Sequence, residues 1–132
     1  MQGIKIILAS ILSFSTYMLG GFDMAIQVLT TMIVIDYATG LMKAFYNKNL
    51  SSYLGWKGIL KKISMYLCII VAVQVERLIN QPDTIRNLIA FGFVANEGIS
   101  IMENVAELGL DVPELKKYFK KFKERNGEDE DN

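Results

Sequence analysis

Residue types that perform catalysis are scarce in this sequence, and those present are not spaced for it. The 132-residue chain has no histidine and one cysteine, Cys68, which lies in the apolar run 63–75. Without a histidine to activate it, a thiol in such surroundings is a packing residue rather than a nucleophile. The carboxylates Asp36, Glu97 and Glu103 could form an acid and base pair or a metal site, but their spacing matches no motif for either. We therefore expect no enzyme activity, no catalytic residue, no metal and no cofactor.

The distribution of charge indicates the environment of the helices that carry these residues. The chain is 52% hydrophobic with a mean hydropathy of +0.27, which is high for a water-soluble fold of this length. Between residues 4 and 42 only Lys5, Asp23 and Asp36 are charged. A soluble bundle needs a charged face on every helix, whereas a lipid-facing helix needs the opposite. The sequence therefore predicts an all-α integral membrane protein.

Four apolar segments predict four transmembrane helices within residues 1–105. They cover about 4–20, 24–45, 59–79 and 84–104. Each is close to the roughly 20 residues that cross about 30 Å of hydrocarbon. We expect the first segment to be retained, because no clear cleavage signal follows it. Charges within the last three segments leave open a three-span version, or one in which the fourth segment lies at the interface.

The connections between the segments predict two helical hairpins and their orientation. Tight turns at 20–23 and 80–83 alternate with a longer polar loop at 46–58. Lysines cluster at and around that loop, namely Lys43, Lys48, Lys57, Lys61 and Lys62. Because basic residues favour the cytoplasmic side, we expect the loop and both termini in the cytoplasm and a multi-pass protein in the bacterial cytoplasmic membrane.

Opposite charges fall at matched depth within these hairpins. The matched pairs are Lys5 with Asp36 and Glu76 with Arg86, and Lys62 could approach Glu97 from one turn away. Lys5 and Asp36 each lie roughly 23 Å from the first turn, and a partner lowers the free energy of a charge in hydrocarbon. The alternative for the first pair is that Lys5 extends to the headgroups and Asp36 simply lies near that interface.

Small and polar residues at every fourth position form stripes that could pack helices together. The third segment has Ser64, Cys68, Ala72 and Glu76, and the fourth has Gly92, Asn96 and Ser100, with Glu97 beside them. Small residues let helix backbones approach, and polar groups hydrogen-bond across the contact. We expect homo-oligomerisation through these faces, with packing inside a monomeric four-helix unit as the alternative.

The segment 106–125 predicts a basic amphipathic helix on the cytoplasmic side. Asp111 and Glu114 have the spacing of a capping box. Leu115, Tyr118, Phe119 and Phe122 share one face, and the bases include Lys116, Lys117, Lys120 and Lys121. Anionic lipid attracts such helices, although a solvated charged tail is the alternative. The acidic segment 126–132 is expected to be disordered and disfavours nucleic-acid binding.

Residues 36–62 carry a pattern with a family resemblance. The pattern is Asp36-Tyr37-Ala38-Thr39-Gly40, Lys43-Ala44, Leu50-Ser51-Ser52, Gly55 and Lys57-Gly58-Ile59-Leu60-Lys61-Lys62. It resembles the phage holin and toxin-secretion holin family of Gram-positive phages and clostridia, whose simplest members have three spans. The resemblance implies a small membrane protein that oligomerises and opens lesions for an endolysin or a toxin, without stable contact with that cargo.

Physical roles for these motif residues are hypotheses. Asp36 could set the register between helices or line a water-filled path. Gly40 and Ala44 would permit close approach of another helix, and the lysines would anchor the loop to the inner leaflet. A small membrane scaffold or an ion channel or transporter subunit would use the same helices. A soluble helical adaptor is the third alternative.

Overall fold

The protein consists of α-helices joined by short connections. The computed structural model describes residues 1–128, within which no strand occurs. The helices are α1 (Gln2–Met18), α2 (Met24–Tyr46), α3 (Ser52–Ile79), α4 (Thr84–Glu107) and α5 (Pro113–Glu128). The predicted all-helical class is confirmed. The predicted loop 46–58 is wrong in length, because α3 begins at Ser52 and leaves only 47–51 as the connection. The predicted division at 106 and 126 is also wrong, because α4 continues to Glu107 and α5 continues to Glu128. Residues 129–132 of the predicted acidic tail lie outside the described residues.

The turns that separate the helices have clear local causes. Gly20 and Gly21 adopt φ values of +74° and +117°, which the lack of a Cβ permits, and they turn the chain between α1 and α2. Asp23 begins α2 as its N-cap, because its carboxylate accepts a hydrogen bond from the Ile26 amide at 3.3 Å. Asn80, at φ 55°, ends α3 in the left-handed conformation that helix C-termini favour.

Helices α2, α3 and α4 surround the hydrophobic core. The core includes Ile26, Leu29 and Ile33 of α2, Met65, Ile69 and Val73 of α3, and Ala90 of α4. Helix α4 packs against both other helices, whereas α2 and α3 contact each other little. Contacts at both ends show that α2 and α4 run parallel and that α3 runs antiparallel to them. We call the end near residues 20–23 the turn end and the end near residues 46–52 the loop end.

Helix α1 stands apart from this bundle. No residue of Gln2–Met18 is buried within the described chain, and α1 has no extensive contact with another helix. Near the C-terminus of α1, Arg77 donates a 2.6 Å hydrogen bond to the Tyr17 carbonyl and stacks over the Tyr17 ring. The expected packed hairpin of the first two segments is therefore wrong, whereas α3 and α4 do pack as a hairpin. The apolar residues of α1 favour removal from water but specify no particular protein partner.

Helix α5 folds back along α4 instead of extending away from the bundle. The Phe122 ring meets the Phe91 ring edge to face, with 6.3 Å between centroids. Phe119 lies directly over Gly98. These two aromatic residues of the predicted amphipathic face therefore pack on protein, while Leu115 and Tyr118 are exposed.

Two of the described helices, α2 and α3, are long and apolar enough to cross a membrane by length and composition. Helix α1 is shorter at 17 residues. Helix α4 carries charged residues along its length, namely Arg86, Glu97, Glu103 and Glu107. The predicted membrane character therefore has its clearest support in α2 and α3.

Candidate functional site

A buried ionic centre joins the three bundle helices. The Lys62 ammonium of α3 donates to one carboxylate oxygen of Asp36 on α2 and to one of Glu97 on α4. All three residues are buried, and Glu97 is only 1% exposed. One cation therefore bridges two carboxylates that come from different helices.

Neutral polar groups complete the hydrogen bonding around Asp36. The Asn104 side-chain amide, also buried, donates to the second carboxylate oxygen of Asp36 at 3.2 Å and to the Thr39 hydroxyl oxygen at 3.1 Å. Thr39 in turn donates to the Ile35 carbonyl at 3.0 Å. Buried polar groups are tolerable only when they are satisfied in this way. The network thus sets the relative register of α2 and α4 as well as the position of Lys62.

The structure tests the three charge pairs that the sequence predicts. The pairing of Lys62 with Glu97 is confirmed. The pairing of Lys5 with Asp36 is wrong, because Lys5 lies on the exposed helix α1 and Asp36 bonds Lys62 instead. Depth along a hairpin depends on residue count alone, but the choice of partner depends on which helices pack together.

The third pair, Glu76 with Arg86, is present as a helix-end contact rather than an ion pair of side chains. A Glu76 carboxylate oxygen accepts a 2.8 Å hydrogen bond from the Arg86 backbone amide, in the first turn of α4. This amide would otherwise have no partner within the helix. Glu76 therefore joins α3 to the start of α4.

The Arg86 side chain forms a second buried centre at the turn end. Its guanidinium donates to the carbonyls of Leu19 at 2.6 Å and Gly21 at 3.0 Å, and to both carboxylate oxygens of Asp23 at 2.8 and 3.0 Å. Arg86 is fully buried although the Asp23 side chain is half exposed. Hydrogen bonds from Arg86 hold the pKa of Asp23 below its usual value, against the opposing effect of burial. Sequence reasoning missed this role, because backbone carbonyls leave no signal in residue types.

The small and polar stripes divide between the interior and the surface. Ala72, Glu76 and Glu97 are buried within the bundle, whereas Gly92 and Ser100 are half buried. The exposed members are Ser64, Cys68 and Asn96. Part of each stripe therefore packs within one chain, as the monomeric alternative expected, and part remains available at the surface.

The motif residues gather at the loop end. A cavity between α2 and α3 is lined by most of them, namely Asp36, Tyr37, Gly40, Ala44, Ser51 and Gly58. Thr39 belongs to the network around Asp36, and Ser52 is the exposed first residue of α3. The structure thus brings together residues that are up to 22 positions apart in the sequence.

The basic residues have different environments. Lys62 is buried, Lys43 lies 3.4 Å from a Glu107 carboxylate oxygen, and Lys116 lies 3.7 Å from one of Glu103. The remaining predicted loop and tail lysines are exposed, namely Lys48, Lys57, Lys61, Lys117, Lys120 and Lys121. Within residues 1–128, no group of three or more histidine, cysteine or acidic residues could hold a metal ion.

Replacing Gly98 with alanine is expected to loosen α5 from α4. A Cβ at residue 98 would lie 2.6 Å from the Phe119 ring, so the ring must move. Overpacking of this kind typically costs about 1 to 3 kcal/mol, which exceeds the roughly 1 kcal/mol that alanine contributes to helix propensity. Hydrogen exchange of the α5 amides should accelerate.

The matched control for this variant is Gly92→Ala on the same helix. Among the described residues, no atom outside the neighbouring backbone of α4 lies within 4 Å of a Cβ placed at residue 92. We expect Gly92→Ala to leave exchange in α5 unchanged. Equal exchange in both variants and in the parent protein would show that the Phe119 contact does not hold α5.

Comparison with known proteins adds independent information. The model of the bacteriophage holin family matches residues 13–124. An uncharacterized protein of Listeria monocytogenes is 40% identical over 116 residues, covering 87% of this chain and 83% of its own. An uncharacterized protein of Clostridium perfringens is 41% identical over 113 residues, covering 84% of each chain.

A phage protein is also among the relatives. A protein named probable holin in Bacillus phage phi105 is 31% identical over 88 residues, covering 67% of this chain and 65% of the phage protein. No solved structure matches the chain at a significant level.

Proposed function

The chain belongs to the bacteriophage holin family, and from this membership we propose that it oligomerises in the bacterial cytoplasmic membrane and forms lesions that time host lysis. The family points to a non-enzymatic membrane protein. The proposed cargo is an endolysin or a toxin, which leaves the cytoplasm through the lesion without stable contact.

The observation that carries this proposal, besides the family match, is the distribution of polar and apolar side chains. Ionic groups lie inside the bundle, in the Lys62 and Arg86 centres, whereas large apolar side chains cover its outside. Leu67 and Val71 on α3, for example, are 55% and 62% exposed. Water would disfavour such a surface, while lipid favours it and leaves polar groups to meet one another inside. This pattern supports a bundle surrounded by acyl chains.

The proposed topology has four spans, at about 4–20, 24–45, 59–79 and 84–104, within a transmembrane domain of residues 1–105. Both termini and the basic loop lie in the cytoplasm, as the distribution of lysines favours. The three-span version remains the alternative.

Insertion of α4 requires α5 to change its position in this proposal. If α4 spans the bilayer while α5 stays packed on it, the lysines of α5 lie at hydrocarbon depth. Each charge there costs a few kcal/mol on insertion scales. We place α5 (Pro113–Glu128) at the inner surface after insertion, with its aromatic face in the headgroup region.

The proposed assembly uses the surfaces that one chain leaves without a protein partner. Ser64 and Cys68 of α3 and Asn96 of α4 are exposed small or polar residues on helices that would face lipid. Helix–helix packing in bilayers depends on such residues. Copies of the chain would associate through these faces, and the whole of α1 is also free to join them.

Inducible expression in bacteria tests the function directly. We expect an abrupt loss of viability together with release of a cytoplasmic protein marker, because lesions must pass a folded enzyme. Release of ions without the marker would favour the channel or transporter subunit, and stable growth with neither would favour the scaffold.

Asp36→Leu and Gly40→Leu are each expected to shift the onset of lysis without preventing membrane insertion. Asp36 bonds Lys62 and Asn104, and Gly40 lies beside Asn104, so both changes disturb how α2 meets α4. Onset is measured by culture density after induction, and insertion by membrane fractionation. Unchanged timing in both inserted variants would remove the proposed role of this face.

A further inference from the structure

Helix α5 is held against α4 at three points along its length. The three residue pairs are Lys116 with Glu103, Phe119 with Gly98 and Phe122 with Phe91. Residue numbers rise along α5 as they fall along α4, so the two helices are antiparallel. We call these three pairs the clasp.

The centre of the clasp depends on the absence of a side chain at residue 98. A Cβ there would lie 2.6 Å from a carbon of the Phe119 ring, closer than the roughly 3.5–4.0 Å at which carbon atoms normally make contact. Gly98 itself is buried. Glycine inside a helix otherwise lowers helix stability, so this position favours the clasp at the expense of α4 alone. The Phe119 ring thus fills a notch that any larger residue would close.

The clasp runs along most of the length of α4. Measured from the end of α4 at Glu107, Glu103 lies 4 residues back and Phe91 lies 16 residues back. At 1.5 Å per residue these positions are about 6 and 24 Å from the loop end of the helix. The hydrocarbon core of a bilayer is about 30 Å thick. If α4 crossed the bilayer with the clasp intact, most of α5 would therefore lie at hydrocarbon depth.

The exposed side chains of α5 make that position unfavourable. Charges of both signs are exposed on the clasped helix, namely Lys117, Lys120, Lys121, Lys123, Arg125, Glu114 and Glu124. A charged group of either sign is strongly disfavoured in hydrocarbon. The clasped form and a membrane-spanning α4 therefore exclude each other.

We propose that the clasp is an autoinhibitory contact, which keeps α4 out of the hydrocarbon until α5 is released, so that its strength sets the time of lysis. The proposal rests on the proposed function, in which α4 spans the membrane before lesions form. The clasped and released forms are two states of one chain, and a weaker clasp raises the population of the released form. Release of α5 then permits insertion of α4 and assembly.

Zero-length carbodiimide cross-linking of the full chain in bacterial membranes measures the clasp. The reagent joins an ammonium group to a carboxylate in contact with it, so Lys116 and Glu103, 3.7 Å apart, report the clasp. Lys43 and Glu107, 3.4 Å apart, join α2 to α4 and provide an internal control. We expect both cross-links in membranes collected before lysis. After onset the first should be lost while the second remains, and an unchanged ratio of the two would overturn the proposal.

Two variants that weaken the clasp should advance lysis. Gly98→Ala, through overpacking, should shift the equilibrium about tenfold toward release, and Phe119→Ala removes the ring itself. Both should lower the cross-link ratio before lysis and bring its onset forward. The double variant should lyse no earlier than Phe119→Ala, because the new methyl group then meets no ring. Unchanged onset in both single variants, with the clasp cross-link lost, would overturn the autoinhibitory role.

Gly92→Ala is the matched control on α4, because its Cβ meets no side chain of α5. Its cross-link ratio should equal that of the parent, and its lysis should begin later than that of Gly98→Ala. Equal effects of the two alanines would mean that α4 responds to any such change and that the Phe119 contact has no special role.

The two readouts separate this inference from the proposed function. Cross-linking is measured without any lesion, and marker release is measured without the reagent. A protein that releases the marker but never forms the cross-link between Lys116 and Glu103 contradicts only the clasp. A protein in which Gly98→Ala lowers the cross-link ratio, but in which neither parent nor variant releases the marker, contradicts the lesion.

Discussion

Replacing Lys62 with methionine is expected to destabilise the protein by about 3 to 5 kcal/mol, the typical effect of removing one partner from a buried ion pair. Lys62 is the ammonium group that contacts both Asp36 and Glu97. Without it, two buried carboxylates face each other with no cation between them. Thermal unfolding in detergent micelles, followed by circular dichroism, measures the loss.

Two further variants show whether charge imbalance causes this loss. Lys61→Met changes the neighbouring exposed lysine and should alter stability by less than about 0.5 kcal/mol. A triple variant that adds Asp36→Asn and Glu97→Gln to Lys62→Met removes every charge of the centre and should recover much of the lost stability. If the triple variant is as unstable as Lys62→Met, lost packing of the lysine stem, rather than unpaired charge, is the cause.

Replacing Arg86 with methionine is expected to destabilise the turn end by about 2 to 3 kcal/mol. The guanidinium satisfies the carbonyls of Leu19 and Gly21, and both lose a buried donor in the variant. Asp23 loses its partner too, but its side chain is half exposed and can be hydrated instead. Thermal unfolding measures the total effect, and hydrogen exchange of residues 19–26 should accelerate before the rest of the bundle unfolds.

Arg77→Met is the matched control for this prediction. Arg77 also donates to a carbonyl of α1, that of Tyr17, but it is exposed. Its hydrogen bond and its stacking on the Tyr17 ring should contribute no more than about 1 kcal/mol. A loss at Arg77 equal to that at Arg86 would mean that burial does not determine the contribution of these arginines.

Both predictions depend on residues that the sequence singled out only in part. The sequence predicts the pairing of Lys62 with Glu97 correctly. A long lysine side chain can reach a carboxylate that lies one helical turn away on the neighbouring helix. The sequence predicts Glu76 as the side-chain partner of Arg86, but Glu76 accepts a hydrogen bond from the Arg86 backbone amide instead. The physical reason is that the sequence constrains the height of a charge along a helix but not the direction in which its side chain points.

The amino-acid sequence by itself determined the helical class, the apolar character of the segments, the absence of a histidine and the motif at residues 36–62 that carries the family resemblance. These are local properties: hydropathy over about 20 residues sets the preferred solvent of a helix, and a motif is read from adjacent positions. Turns also follow from neighbouring residues, as at Gly20 and Gly21. Helix lengths follow less closely, since α3 begins at Ser52 within the predicted loop 46–58.

The tertiary structure alone decided which helices are neighbours. It separated α1 from the bundle, placed α5 along α4, joined Asp36 to Lys62 rather than to Lys5, and left a cavity between α2 and α3 at the loop end. Each of these outcomes depends on contacts between residues far apart in the chain, where several apolar faces of similar area compete. Buried ionic groups favour the arrangement in which they are paired. The free-energy cost of an unpaired charge inside the bundle exceeds the typical difference between alternative apolar packings.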